Sequence, residues 1–327
     1  MLDQCRYCAL SSTWKPSYDR YLLSDDRYKP TIFEAIRFAA DVGLDGIEII
    51  HPQQVNWENV VEIKTSLQQA GLTTAAVAVS ISSKEQFRGG SLTSDNPETR
   101  REAIVTIQNG MDLATQLDVD LVNVWLGRDG FDYPFQIDYD QAWGRLVEAF
   151  KEIGSHRPEI RVAIVYKTKE PRKWLLLSTA AKTILLAEEV GLPNIGALID
   201  FGHTLVSNES PAESLALLAR KSRLFHTHLN DNTGTWDDDM AFGSLHFLET
   251  FEFLYWLDRV GYEGWLSFDP HPQLEDPSKM IEENLRYTKG MIQIMERIGK
   301  DAIEEAIRTR QVTEIMALLG KQLFKSF

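Results

Sequence analysis

Carboxylates and imidazoles collect at the ends of short apolar segments in this sequence. The segment Ile195–Asp200 ends in an aspartate, and His203 follows three residues later. His228 lies near the end of another apolar segment, and Asp269 directly follows a third. Clustered carboxylates repel one another unless a cation neutralises them. Oxygen ligands mixed with imidazole suit Mn²⁺, Mg²⁺ or Co²⁺, so these residues predict a divalent-metal site if the fold brings them together.

Further polar residues follow the same segments. Asp237 and Asp239 lie in the acidic loop after the segment that contains His228, and Lys167 follows an earlier apolar segment. Each has a structural alternative, because loop aspartates are often only solvated and Lys167 could be a salt-bridge partner at a rim. His226 is two residues from His228, so both side chains point to the same side of a strand. We expect His226 to pack behind a ligand rather than to bind a metal itself.

The apolar segments alternate with amphipathic stretches. The predicted strands are Tyr7–Ser11, Gly46–Ile50, Thr74–Ser80, Leu121–Leu126, Arg161–Tyr166, Ile195–Asp200, Leu224–Leu229 and Trp265–Asp269. The predicted helices are residues 31–42, 56–70, 97–117, 138–154, 175–190, 211–222, 247–260 and 276–298. Apolar runs of this kind are typical of strands buried on both faces. Eight strand-then-helix units predict a closed (β/α)₈ TIM barrel, in which all eight strand ends meet in one ring.

The chain continues beyond the eighth unit. We predict a barrel domain over residues 1–298 and a helical extension over residues 299–327, with an apolar stripe that needs a surface to cover. That surface is either the same barrel or a neighbouring subunit, and we expect a homo-oligomer, a dimer or tetramer. The stripe comprises Met316, Leu318, Leu319, Leu323 and Phe324.

Charge and cysteine content exclude several classes of protein. The net charge is −14, from 48 acidic and 34 basic residues, with no basic cluster to replace phosphate counterions, so we expect no nucleic-acid partner. Cys5 and Cys8 have redox-like C-x-x-C spacing, but residues three apart on a strand point to opposite faces. We predict two reduced thiols, no signal peptide and no membrane partner, as in a cytoplasmic protein.

The segments, in this order, resemble the xylose isomerase-like superfamily over roughly residues 5–298, and within it the xylose isomerase and L-rhamnose isomerase branch. Trp125–Gly130 resembles the motif W-x-G-R-E-G, and Val165–Arg172 resembles E-x-K-P-x-E-P-R. Asp200–His203 matches [DE]-x-x-H, and Asp237–Gly243 resembles D-x-D-L-x-F-G. Phe268–Asp269 matches the aspartate of the eighth strand.

The resemblance implies two divalent cations, Mn²⁺ or Mg²⁺, that share Asp200. One cation would take Asp200, His203, Asp237 and Asp239. The other would take Asp200, His228, Asp269 and the first residue of the fifth-strand motif. L-rhamnose isomerases have histidine at the position of His228, where xylose isomerases have aspartate, which favours the rhamnose isomerase version of the site.

The fifth-strand motif departs from the family pattern. Val165 stands where the family has glutamate, and valine cannot bind a cation. The second of these sites keeps three protein ligands unless water fills the gap, so we predict weaker metal binding there. An altered or weakened enzyme, a one-metal variant and an engineered sequence all fit this departure.

The resemblance implies aldose–ketose isomerisation of a monosaccharide by a metal-assisted hydride shift. His51 would open the sugar ring, Lys167 would polarise the carbonyl oxygen, and Asp237 would act beside a metal-bound water. Trp125 and Phe131 would form an apolar wall, and His203 would also contact the sugar.

Two alternatives stay open. One is an epimerase of the same superfamily, although such enzymes typically carry glutamates on the fifth and eighth strands, where this chain has Val165 and Asp269. The other is a non-catalytic sugar-binding homologue, which Val165 supports. His51 lacks its usual aspartate partner, because Pro52-Gln53-Gln54 follows it.

Overall fold

Eight parallel strands close into a barrel. The computed structural model of the chain describes residues 1–15 and 29–324. The barrel strands are β1 (Arg6–Leu10), β2 (Gly46–His51), β3 (Thr73–Ser80), β4 (Leu121–Trp125), β5 (Arg161–Val165), β6 (Ile195–Asp200), β7 (Leu224–Leu229) and β8 (Trp265–Phe268). Each strand pairs with its sequence neighbours, and β8 pairs with β1. The predicted TIM barrel is confirmed.

Helices cover the outside of the barrel. They are α1 (Ile32–Asp41), α2 (Val60–Ala70), α3 (Pro97–Gln116), α4 (Tyr139–His156), α5 (Ala180–Val190), α6 (Phe201–Val206), α7 (Pro211–Arg220), α8 (Phe247–Arg259) and α9 (Pro277–Ile298). Side-chain caps fix several starts, such as the capping box of Thr31 and Glu34 at α1. The helix α5 begins five residues later than predicted, because Trp174–Leu175 pairs antiparallel with Gly130–Phe131 instead.

Strand alternation separates two sets of side chains. Residues such as Ile47 and Ile49 of β2 are fully buried and belong to the apolar core. Glu48 lies between them in sequence and points to the opposite side of the strand. The barrel interior therefore contains polar side chains, which lie below the carboxyl ends of the strands.

Two further helices, α10 (Lys300–Thr309) and α11 (Val312–Leu323), follow the barrel. Leu319 of α11 is buried, whereas Met316 and Phe324 are each 57% exposed. Residues 325–327 of the predicted extension lie outside the described residues. Cys5 and Cys8 are both free thiols. Within the described part of the chain, no helix combines the length and apolar character needed to cross a membrane.

Candidate functional site

A cavity of about 470 Å³ opens at the carboxyl ends of the barrel strands. Its lining includes most of the sequence-predicted site residues. These are Trp125, Lys167, Asp200, His203, His228, Asp237, Asp239 and Asp269, together with Val165 and His271. Carboxylates, imidazoles and the ammonium group of Lys167 therefore share a single pocket at the face where barrel enzymes carry out their chemistry.

Asp200, His228 and Asp269 form a compact group on the cavity floor. Each offers a ligand atom within 4.8 Å of the others, and all three residues are buried. The Nδ1 atom of His228 is 2.9 Å from Asp269 Oδ2 and 3.7 Å from Asp200 Oδ2. Asn230 Nδ2 donates to Asp269 at 3.0 Å and to Asp200 at 3.3 Å, which fixes both carboxylates.

The electrostatics of this group favour a cation. Burial and the charge of Asp200 raise the pKa of Asp269, although the imidazole of His228 opposes the shift. Burial and the neighbouring carboxylates Asp237 and Asp269 raise the pKa of Asp239 well above its usual range. Two carboxylates and one imidazole are donors that Mn²⁺, Mg²⁺ and Co²⁺ accept, so the donor set fits such an ion.

The other predicted ligand set is arranged differently. His203 Nε2 lies 3.1 Å from Asp237 Oδ2 and 3.5 Å from Asp200 Oδ2. Its Nδ1 atom hydrogen-bonds the Tyr166 carbonyl at 2.9 Å, which leaves Nε2 to face the cavity. Asp239 pairs with a different imidazole, since its Oδ2 atom lies 3.5 Å from His271 Nδ1. Among the described residues, the four predicted ligands do not converge on one point as the first group does.

Lys167 provides the positive charge beside Asp237. Its Nζ atom lies 2.6 Å from Asp237 Oδ2 and also pairs with Glu170. Burial opposes the charge, but Asp237 and Glu170 outweigh burial and raise the pKa of Lys167. In turn, His203 and Lys167 overcome burial and hold the pKa of Asp237 well below its usual range. The ammonium group lies 5.5 Å from the centre of the Trp125 ring, within cation–π range.

Val165 occupies the inward position of β5 at the level of the cavity. Its side chain is 6% exposed and lines the pocket. It pairs in register with Trp125 of β4 and Leu198 of β6. The cavity wall is therefore apolar at the position where the family motif has a carboxylate.

His51 does not line the cavity, so the structure does not support the expected ring-opening role. Its Nδ1 atom hydrogen-bonds the Val55 carbonyl at 2.8 Å, and burial lowers its pKa. The ring lies on the helix side of β2, close to Gly110 of α3. The reason is strand alternation, because Ile50 lines the cavity and the next residue must point away.

Phe131 is also displaced from its expected role in the pocket wall. It stacks on Trp174 with ring centres 5.5 Å apart and meets Tyr139 edge-on at 5.1 Å. Trp174 and Tyr139 are about half exposed, at 50% and 49%. The antiparallel pairing of residues 130–131 with residues 174–175 holds Phe131 in this outer aromatic cluster, away from the residues that line the cavity.

Glu48 is a polar residue of the barrel interior that we did not predict. It is fully buried beneath the cavity, and its carboxylate contacts His226, His228, Ser267 and Asn123. Burial opposes its charge, but the imidazoles of His228 and His226 outweigh burial and hold the pKa of Glu48 well below its usual range. A glutamate in the middle of the apolar segment Gly46–His51 was the signal in the sequence, because charged residues are almost never fully buried unless they are paired.

Known proteins share this fold. The chain is similar to a D-tagatose 3-epimerase-like protein, at 17% identity and a TM-score of 0.72 over 90% of this chain and 100% of that chain. It is also similar to D-psicose 3-epimerase from Clostridium cellulolyticum H10, at 17% identity and a TM-score of 0.69 over 88% of this chain and 99% of that one. A third structure, 3-keto-D-glucoside 4-epimerase from E. coli, has 17% identity and a TM-score of 0.68 over 88% and 99% of the two chains.

At these identities the structural likeness shows the fold alone. The model of the family described as xylose isomerase-like TIM barrel matches residues 36–303, which is most of the sequence. The chain therefore belongs to the xylose isomerase-like TIM barrel family.

Proposed function

We propose that this protein is a divalent-metal-dependent enzyme that isomerises a monosaccharide at the carbon atoms next to its carbonyl group. The observation that carries the proposal is the group of Asp200, His228 and Asp269 on the floor of a cavity large enough for a sugar. These residues would hold one Mn²⁺ or Mg²⁺ ion. When bound, such an ion would polarise the sugar carbonyl and acidify the neighbouring hydroxyl.

The remaining cavity residues suit the same substrate. Lys167 can donate to the carbonyl oxygen while Asp237 and Glu170 hold its ammonium group in place. Trp125 offers an apolar face beside that ammonium, against which a sugar ring can pack while water is excluded. A second cation on His203, Asp237 and Asp239 would have to break the ion pair between Lys167 and Asp237, so we expect a single ion at the floor to be sufficient.

Epimerisation is the first candidate reaction, and the similar solved structures favour it, because those named above are epimerases or epimerase-like. Epimerisation needs one group to remove a proton from carbon and another to return a proton to the opposite face. Besides His228 and its carboxylates on the floor, two further carboxylate–imidazole pairs line the cavity: Asp237 with His203 at 3.1 Å, and Asp239 with His271 at 3.5 Å. We assign the two proton transfers to these pairs.

Aldose–ketose interconversion by a hydride shift is the second candidate. The buried ammonium of Lys167 favours it, because a fixed cation can hold the carbonyl oxygen as the hydrogen moves between neighbouring carbons. The apolar side chain of Val165 also favours it, since a hydride shift needs no proton-transferring carboxylate on β5. The two reactions share the substrate class and the metal site.

The test is a turnover assay in D₂O. The purified protein is stripped of metal, reloaded with Mn²⁺ and incubated with free and phosphorylated ketoses and aldoses. Epimerisation through proton transfer incorporates solvent deuterium at the inverted carbon, whereas a hydride shift retains the original hydrogen. Asp269→Asn serves as the metal-site control and should lose turnover. Sugar binding without turnover would favour the non-catalytic homologue, and turnover that survives metal removal would refute the proposal.

A further inference from the structure

Glu48 lies at the centre of the barrel interior, below the proposed metal site. Its Oε1 atom accepts from His226 Nε2 at 2.9 Å and from His228 Nε2 at 3.1 Å. Ser267 Oγ also donates to Oε1, and Asn123 Nδ2 donates to Oε2. A buried carboxylate is costly unless its oxygens are satisfied, and here side chains from three other strands, β4, β7 and β8, satisfy them. The side chain is therefore held rigidly under the cavity floor.

His228 connects Glu48 to the two carboxylates above it. One ring nitrogen, Nε2, lies 3.1 Å from Glu48 Oε1, and the other, Nδ1, lies 2.9 Å from Asp269 Oδ2. A neutral imidazole carries one N–H group and one lone pair. A proton on Nε2 is accepted by Glu48 and leaves the Nδ1 lone pair facing Asp200 and Asp269. The opposite tautomer would place a lone pair against the oxygen of Glu48.

We infer that Glu48 is a positioning residue for the metal site: it accepts the Nε2 hydrogen of His228 and thereby directs Nδ1 at a cation held with Asp200 and Asp269. The inference rests on the proposed function, which requires that cation. A carboxylate behind a ligating histidine fixes its tautomer and ring orientation, and loss of such a partner typically weakens metal binding by about 10–100-fold.

A competing role for Glu48 is direct ligation. Cys8, Glu48 and His226 also offer donor atoms within 4.8 Å of one another, all fully buried. The hydrogen bonds argue against ligation, because Oε1 already accepts from His226, His228 and Ser267, and Oε2 accepts from Asn123. His226 then serves as a second donor that helps to hold the carboxylate still.

The test compares Mn²⁺ affinity, measured by calorimetry on metal-stripped protein, in four variants. Glu48→Met removes the acceptor at similar size and should weaken binding by about 10–100-fold. Glu48→Gln keeps a carbonyl acceptor and should recover part of that loss. Ser267→Ala removes another hydrogen bond to Glu48 but leaves the contact with His228, so it should lose much less Mn²⁺ affinity than Glu48→Met. Cys8→Ser should leave the stoichiometry unchanged.

Several results would overturn the inference. One is a folded Glu48→Met variant that binds Mn²⁺ as tightly as the wild type. Another is a Ser267→Ala variant that loses as much Mn²⁺ affinity as Glu48→Met. A third is a Cys8→Ser variant that no longer binds the cation. A measurement on the wild type does not depend on whether the variants fold. Histidine ¹⁵N spectra of the Zn²⁺-loaded protein should show His228 protonated at Nε2 and coordinated through Nδ1. Coordination through Nε2 would contradict the assignment. Wild-type protein that binds metal but turns over no sugar would refute the proposed function and leave this inference standing.

Discussion

Introducing a carboxylate at position 165 tests the proposed metal site through stability as well as activity. Val165 is 6% exposed and faces a cavity that already holds Asp200 and Asp269. In metal-free protein, Val165→Glu buries another charge among like charges. Leaving a buried charge uncompensated costs about 3–5 kcal/mol. For a protein of this size, that loss lowers the melting temperature by about 5–15 °C.

A bound cation should reverse that loss. At a Mn²⁺ concentration of about 100 times the dissociation constant, binding stabilises the native state by about 2.7 kcal/mol. We therefore expect the metal-free variant to melt below the wild type and Mn²⁺ to close most of the gap. Thermal denaturation with chelator and with Mn²⁺ measures both effects, and the wild type itself should show the smaller metal-induced shift. Turnover should rise together with metal content.

The matched control is Val165→Gln, which has nearly the same shape without the charge. It should gain no additional response to Mn²⁺. The reasoning is wrong if Val165→Glu folds and Mn²⁺ raises its melting temperature no more than that of Val165→Gln. Full two-metal occupancy of the wild type at low metal concentration would also contradict the idea that Val165 weakens the site.

Four other predictions concern separate parts of the molecule. Lys167→Met should lower kcat by about 10²–10³-fold while Lys167→Arg retains more activity, as measured by steady-state kinetics. His51→Gln should cost about 1 kcal/mol in denaturant unfolding and leave kcat/KM unchanged, because the ring contacts the Val55 carbonyl rather than the cavity; a large loss of kcat/KM would restore its ring-opening role. Burial raises the pKa of Glu209 to about 7, above its unfolded-state value. The protonated carboxyl group therefore stabilises the native state fully below the unfolded-state pKa, and this stabilisation is lost as the pH rises through about 7. Glu209→Gln should therefore gain stability relative to the wild type between about pH 5 and about pH 8, and parallel unfolding curves would show otherwise. Sedimentation should detect a dimer or tetramer of the wild-type protein. Met316→Glu, on the exposed face of α11, should convert this oligomer to a folded monomer. A wild-type monomer at micromolar concentration would contradict the prediction.

The barrel was predictable because its strands are buried on both faces. Their apolar runs are short and separated by longer amphipathic segments, so the predicted strand bounds agree with the structure to within a residue. The start of α5 was predicted five residues too early, because Trp174–Leu175 pairs with another loop and the helix begins after the Thr179 side-chain cap. Such pairing depends on a contact between distant segments, which local patterns do not encode.

The candidate site was predictable where the residue type alone signals chemistry. Asp200, His228 and Asp269 stand out as polar residues at the ends of apolar strands, and the barrel brings them together. The alternation of β2 gives a different result for its two ionisable residues. Glu48 is two residues from Ile50, which lines the cavity, so both side chains point to the same side of the strand. His51 is one residue from Ile50, so it points to the opposite side and faces α3. Counting positions from Ile50 would have placed both residues correctly.

Val165 on β5 determines which side of the proposed metal site lacks a protein ligand. Asp200 ends β6, His228 lies on β7 and Asp269 directly follows β8, so these residues would hold a cation from three consecutive strands. Mn²⁺ and Mg²⁺ favour about six oxygen or nitrogen ligands, which leaves about three positions open. On the β5 side of the cavity the wall is lined by Val165 and Lys167, and neither is suited to ligation, because valine has no donor and the lysine is held charged by Asp237. A cation held there would keep positions open to the carbonyl and hydroxyl oxygens of a sugar in the cavity. A valine where the family motif has glutamate would weaken the hold on the ion and at the same time leave the substrate more of its coordination sphere. Metal affinity should consequently rise when sugar is present, and Val165→Glu should reduce that dependence as it strengthens binding of the ion alone.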